Sequence, residues 1–84
     1  MTDHNLKTWP QYFEAVRDGK KTFEVRRNDR GFQVGDRLSL QEWDPDEGKY
    51  TGRELHRYVS YMLTGPALGV EPGFCVLALS SSRQ

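Results

Sequence analysis

Lys21, Glu24 and Arg26 place an ammonium, a carboxylate and a guanidinium in one short polar run, Gly19-Lys20-Lys21-Thr22-Phe23-Glu24-Val25-Arg26-Arg27-Asn28-Asp29-Arg30. The run reads as a helix stop, then a strand, then a turn. Strand side chains alternate between faces, so Thr22, Glu24 and Arg26 share one face and Phe23 and Val25 form an apolar face opposite. Fixed charges on a rigid strand beside a helix end suit a polar ligand. A lysine there holds a phosphate or a base carbonyl, or partners a nucleophile. A carboxylate accepts a hydrogen bond from a base amino group, such as N4 of cytosine. An arginine orients that carboxylate or forks onto a phosphate.

Further candidates surround this run. Arg30, in the turn, offers a second fork for phosphate, while Asp29 beside it satisfies local backbone N–H groups. His4 and Lys7 are expected beside this strand, where the imidazole of His4 hydrogen-bonds or stacks. Arg53, with Tyr50, Thr51 and Gly52, is a candidate second wall. Trp9 and Tyr12 are expected mainly in the core, with one of them available to line a cleft and stack on a base.

The rest of the composition narrows the function. At 84 residues the chain is read as one domain, 1–84. Its formal net charge is zero, which argues against a protein that coats nucleic acid non-specifically. Residues 17–30 nevertheless hold Arg17, Lys20, Lys21, Arg26, Arg27 and Arg30 against Asp18, Glu24 and Asp29, a local basic patch. A single cysteine, Cys75, forms no internal disulfide and fits a reducing cytoplasm. No apolar run approaches the ~18 residues of a membrane span. The start Met1-Thr2-Asp3-His4 has no signal-peptide pattern. The chain is therefore expected to be a complete, small, cytoplasmic protein, monomeric, without a cofactor. Two histidines and one cysteine give no metal-ligand spacing, so no metal is expected. There is no Gly-rich phosphate loop and no nucleophile elbow.

These residues need elements to position them. Thr8 is the expected N-cap and Pro10 fits the first helical turn. Trp9, Tyr12, Phe13 and Val16 form one apolar stripe of a helix over about residues 9–18, which Gly19 terminates. His4–Lys7 is a short strand or an extended lead-in. Strands are expected over Lys21–Arg27, Arg37–Trp43, Tyr50–Gly52, Glu54–Leu63 and Phe74–Ser80. Asn28–Gly31 and Val34-Gly35-Asp36 are turns, Asp44–Gly48 is a hairpin loop and Thr64–Gly73 is a longer loop. Ser80 to Gln84 are expected to fray. The expected core is Trp9, Tyr12, Phe13, Phe23, Leu38, Leu40, Val59, Leu63, Phe74, Val76, Leu77 and Leu79. Without βαβ alternation a parallel sheet is not expected. The fold class is mainly β with one or two helices (α+β), a small antiparallel β-barrel capped by its N-terminal helix.

The spacing Gly19-x-Lys21-x-x-Glu24-x-Arg26 resembles the GxKxxExR signature of the ASCH domain, a branch of the PUA-like superfamily. The preceding helix and the following Val34-Gly35-Asp36 turn agree with that family's order. His4-x-Leu6-Lys7, Asn28-Asp29-Arg30-Gly31-Phe32 and Tyr50-Thr51-Gly52-Arg53 resemble a subfamily of short bacterial and phage proteins of unknown function. The resemblance runs from His4 to Leu79. It implies RNA or a modified nucleotide bound between helix and barrel, with Lys21, Glu24 and Arg26 lining the cleft. Some small members resemble amidohydrolases acting on N4-acylated cytidine, in which a Lys activates a Thr three residues later. Lys21 matches that Lys, but Glu24 occupies the Thr position. If the chain is an enzyme, Lys21 and Glu24 are its catalytic candidates. A phage-type factor that binds a host protein is the third reading.

Overall fold

The computed structural model describes residues 2–82. β1 (Asp3–Thr8) alternates outward and inward, so His4, Leu6 and Thr8 are buried. Helix α1 (Pro10–Arg17) follows at once. Its N-cap is Trp9, not Thr8. Trp9 has extended backbone and makes no side-chain cap, because the Thr8 hydroxyl turns back to donate to the Leu6 carbonyl at 3.2 Å. Pro10 stands in the first turn, where its missing N–H is no loss. At the other end Gly19 takes φ +77°. Gly19 N–H donates to the Val16 carbonyl and Lys20 N–H to the Ala15 carbonyl. That pair of bonds is the Schellman arrangement, and it aims the chain sharply out of the helix.

β2 (Phe23–Arg27), β3 (Arg37–Asp44), β4 (Lys49–Thr64) and β5 (Phe74–Ser80) complete one five-stranded sheet in the order β1-β3-β4-β5-β2. The sheet is curled into a half-barrel. Three of its pairings are antiparallel, but β1 and β3 pair in parallel, Leu6 opposite Leu40. The sheet is therefore mixed. A parallel pair requires a long crossover, and here α1 and β2 together supply it. β2 hides the βαβ pattern because it departs to the far edge of the sheet.

Tyr50–Gly52 and Glu54–Leu63 are one continuous strand, β4, with two irregularities. Gly52 (φ +92°) sits where the β3–β4 register shifts between Gln41 and Trp43. A second shift between Val59 and Tyr61 reverses the alternation, so Val59 and then Met62 face the core while Tyr61 is exposed. The turns behave as their residues suggest. Asp44 Oδ1 accepts from the Asp46 and Glu47 N–H groups. In Val34-Gly35-Asp36, Gly35 N–H donates to the Val59 carbonyl and Val59 N–H donates to the Asp36 carbonyl, both across to β4.

The core comprises Leu6, Val16, Phe32, Leu38, Leu40, Val59, Cys75 and Leu77, with Leu55, Met62 and Leu79 packed on it. Phe13 is also fully buried. Six expected core residues are displaced or partly displaced from it. Trp9 and Tyr12 are 47% and 52% exposed, because only the Phe13–Val16 side of α1 meets the sheet. Phe23 is 44% exposed, and Leu63, Phe74 and Val76 are only partly buried. Cys75 is buried and its thiol is pushed up by that burial, then by the Asp29 carboxylate. Ser80 and Ser82 are hydrogen-bonded to each other, while Arg83 and Gln84 of the expected frayed end lie outside the described residues. No helix among the described residues is long and apolar enough to cross a membrane.

Candidate functional site

The strand that carries the charged run is inverted relative to a simple amphipathic reading. Phe23 and Val25 face out, and Glu24 is 3% exposed. A lone buried carboxylate carries a large desolvation cost unless cations accompany it. Two do. Lys21 Nζ donates to Glu24 Oε2. Arg26 Nε–H donates to Glu24 Oε1 at 2.9 Å, with Nη2 2.8 Å from the same oxygen. The cations are in turn fixed to main chain. Lys21 Nζ donates to the Phe23 carbonyl at 2.8 Å and Arg26 Nη2 to the Lys7 carbonyl at 3.0 Å. Thr8 Oγ1 lies 3.5 Å from the same Nη2.

This triad forms the floor of a cleft of about 720 Å³ between α1 and β2. Its walls are Trp9, Tyr12 and Ala15 from the helix, Lys20 and Lys21 from the helix exit, Phe23–Arg26 from β2, and Lys7 and Thr8 from β1. Lys7, Lys20, Lys21 and Arg26 line the cleft with one carboxylate, Glu24, and of these Lys21 and Arg26 contact that carboxylate. The domain as a whole is neutral, so the cleft concentrates positive potential locally. Lys21 Nζ lies 5.7 Å from the Tyr12 ring centre and 5.2 Å from that of Phe23. Lys7 Nζ lies 3.9 Å over the Trp43 ring, and Trp43 meets Tyr50 edge-on at 4.9 Å.

The donor inventory defines what is left for a ligand. An ammonium has three N–H groups and a guanidinium five. Lys21 directs bonds to Phe23 and Glu24. Arg26 uses Nε and Nη2 on Glu24, Lys7 and Thr8. One Lys21 donor and the Arg26 Nη1 group therefore remain. Both oxygens of Glu24 are engaged, so this carboxylate positions the two cations. Neither partner of Lys21 is a hydroxyl.

Not every predicted site residue reaches the cleft. Lys7, Lys21, Glu24 and Arg26 are brought together there. His4 is buried elsewhere. Its Nε2–H donates to Asp36 Oδ2 at 2.8 Å and its ring tilts against Phe32 at 4.6 Å. Burial pushes the Asp36 carboxyl up, but hydrogen bonds from His4 and from the N–H groups of Gln33 and Thr2 outweigh it and hold the group below its ordinary value. Arg30 Nη1 donates to the Asn5 carbonyl at 2.7 Å, tying the turn to β1. Arg53 Nη1 donates to Glu14 Oε1 at 2.8 Å and lies 3.4 Å from Glu42 Oε1, over the Phe13 ring. It pins α1 to the sheet. Glu42 is buried and also accepts from the Thr51 hydroxyl at 2.7 Å.

Sequence reasoning missed Thr8, Ala15, Lys20, Phe23 and Val25 as cleft residues. The available signal was the strand itself, since Phe23 and Val25 are large apolar side chains flanking Glu24 and must take the face it does not. Among the described residues no group of three or more His, Cys, Asp or Glu side chains is placed to hold a metal ion.

The model of a domain of unknown function, DUF3850, matches residues 3–79, which includes every element that builds the cleft. The chain is also similar to an uncharacterized 12.9 kDa protein in the GpA 3' region of Escherichia phage P2. The two are 39% identical over 57 residues, 68% of this chain. The match spans half of the phage protein's length.

Proposed function

The chain belongs to the DUF3850 family, and on that premise we propose that it binds RNA or a modified nucleotide in the cleft between α1 and β2. The observation that carries this reading is the buried Glu24 carboxylate holding Lys21 and Arg26 side by side on the cleft floor. Held there, the two cations present their remaining donors to an anion or a carbonyl without first losing side-chain freedom. Trp9, Tyr12 and Phe23 add exposed aromatic surface at the rim, which every nucleobase can stack on. The cleft volume of about 720 Å³ falls within the range of small-ligand sites. The likeness of Gly19-x-Lys21-x-x-Glu24-x-Arg26 to the ASCH signature supports the same ligand class.

Binding is favoured over hydrolysis by the partners of Lys21. A lysine that activates a nucleophile needs a hydroxyl or water within hydrogen-bond reach. Among the described residues the hydrogen-bond partners of Lys21 Nζ are a carbonyl and a carboxylate, and no protein hydroxyl stands in the nucleophile's place.

The test is fluorescence anisotropy of the full chain against short single-stranded RNAs, with nucleosides as competitors, at low salt. Saturable, salt-sensitive binding is expected, lost in Lys21→Glu with the circular dichroism spectrum unchanged. No binding across that panel overturns the proposal. Incubation with N4-acetylcytidine followed by chromatography separates binding from turnover, and hydrolysis abolished in Lys21→Ala would assign the chain to the amidohydrolases instead.

A further inference from the structure

The cleft has a main-chain wall as well as side chains. β2 is an edge strand, with β5 on one side and no strand on the other. Its bonds to β5 determine which peptide groups are used. Leu79 N–H donates to the Thr22 carbonyl at 2.9 Å, and Asn28 N–H donates to the Gly73 carbonyl at 2.8 Å. Between them Glu24 stands opposite Leu77 and Arg26 opposite Cys75. Hydrogen-bonded pairs alternate along an antiparallel ladder. Residues 22, 24, 26 and 28 therefore bond to β5, and the peptide groups of Phe23, Val25 and Arg27 point to the free edge.

β1 presents its own free edge across the gap. Arg37 N–H donates to the Thr2 carbonyl, which fixes the parity of the parallel pair and turns the Asn5 and Lys7 carbonyls outward. Two guanidiniums bridge these facing edges. Arg30 reaches the Asn5 carbonyl at 2.7 Å and Arg26 the Lys7 carbonyl at 3.0 Å. β1 ends at Thr8, so no further rung reaches Phe23 or Val25. There the edge opens into the cleft, which both residues line, and Val25 is 56% exposed. The Phe23 carbonyl is taken by Lys21 Nζ. The N–H and C=O of Val25 are left without a protein partner among the described residues.

We infer that the Val25 peptide groups read the in-plane edge of the ligand's ring. In an extended residue the N–H and C=O point to the same side of the strand, one donor beside one acceptor. That pair complements a planar heterocycle with an acceptor next to a donor, such as N3 and the N4 amino group of cytosine. The ligand class is thereby an unpaired base, as a nucleotide or in single-stranded RNA, because a duplex hides that edge. Phe23, Trp9 and Tyr12 supply faces for the same ring, and Lys21 and Arg26 supply the charge. The inference rests on the nucleotide-binding reading above but makes a separate claim, since stacking and charge alone need no edge contact.

The experiment titrates the full-length chain, 15N-labelled, with cytidine 5′-monophosphate and with its N4,N4-dimethyl analogue, following backbone amides by NMR. The expected result is a saturable downfield shift of the Val25 amide proton with the parent nucleotide, and binding of the dimethyl analogue weaker by about tenfold. Val25→Ala keeps the main chain and should keep that discrimination. Val25→Pro removes the outward N–H, leaves the ladder to β5 intact at an edge position, and should lose it. Equal affinity for the two nucleotides with an unmoved Val25 amide, while Lys21→Glu still abolishes binding, overturns edge reading and leaves the binding site standing. Absence of binding to cytidine 5′-monophosphate by a chain that binds RNA also overturns it.

Discussion

Arg26 Nη2 donates to the main-chain carbonyl of Lys7 at 3.0 Å, across the gap between the strand that follows the helix and the strand that precedes it. The same guanidinium holds the buried Glu24 carboxylate. One side chain thus bridges the facing strand edges, beside Arg30, and shares with Lys21 the compensation of Glu24. Arg26→Ala should destabilise the fold by about 3 kcal/mol, because it strips a partner from a buried carboxylate. Arg26→Lys restores the charge but not the fork, and should recover only part of that loss. Urea denaturation of the three proteins at neutral pH measures both. An Arg26→Ala chain as stable as the parent would show that the contact carries no weight.

Lys21 has a different balance. Lys21→Gln leaves Arg26 on Glu24 and an amide that can still donate to the carboxylate, so it should cost less stability than Arg26→Ala, which also loses the bond to the Lys7 carbonyl. Its effect belongs to the ligand. Loss of one phosphate contact should lower the slope of log affinity against log salt by about 1 for an RNA oligonucleotide. An unchanged slope would remove Lys21 from the charged contact surface.

The outward Phe23 separates stability from binding. A half-exposed strand residue is expected to contribute little to the fold, so Phe23→Ala should shift unfolding by only about 0.5 kcal/mol. Leu77 lies on the neighbouring strand, opposite Glu24 and fully buried. Leu77→Ala should cost about 2–5 kcal/mol. If Phe23 stacks on a base, Phe23→Ala also weakens RNA binding by about 1–3 kcal/mol. Large destabilisation by Phe23→Ala would place its ring in the core after all.

Phe23 also shows where sequence reasoning stops. Period-two alternation identifies two faces of a strand but not which one turns inward. Hydrophobicity put Phe23 in the expected core, but the chain buries Glu24, because Lys21 and Arg26 compensate its charge from positions three before and two after it. That compensation is local and was visible as the Lys21/Glu24/Arg26 spacing, so their convergence could be read in advance. Gly19 as a helix stop and Val34-Gly35-Asp36 as a turn were legible for the same reason, each being a local conformational demand. The pairing of β1 with β3 was not. It depends on contacts between residues more than thirty apart, such as Leu6 with Leu40. His4 misled for a related reason: nothing near it in sequence announces Asp36, the partner that makes it a structural residue. Trp9 and Tyr12 belong to a real apolar stripe, but only its Phe13–Val16 side is buried, and their side of the stripe became the cleft wall.

The His4–Asp36 contact yields a pH dependence with a definite sign. Asp36 is held below its ordinary value of 3.8, since the hydrogen bonds from His4, Gln33 and Thr2 outweigh the upward push of burial. A carboxyl whose pKa is lower folded than unfolded stabilises the fold above the unfolded pKa, and that stabilisation fades as pH falls through the folded value. Asp36→Asn should therefore be less stable than the parent at neutral pH by about 1–3 kcal/mol. The gap should narrow once the pH drops below the ordinary carboxyl value, because the parent then protonates Asp36 and loses the same charged acceptor. Urea unfolding of both chains from neutral pH into that acidic range measures the difference directly. Asp36 joins the turn before β3 to the first strand, so the narrowing should appear in global unfolding as well as in the local exchange of the Gln33 amide. A gap that stays constant through the acidic range would mean that the carboxylate charge contributes nothing to this junction.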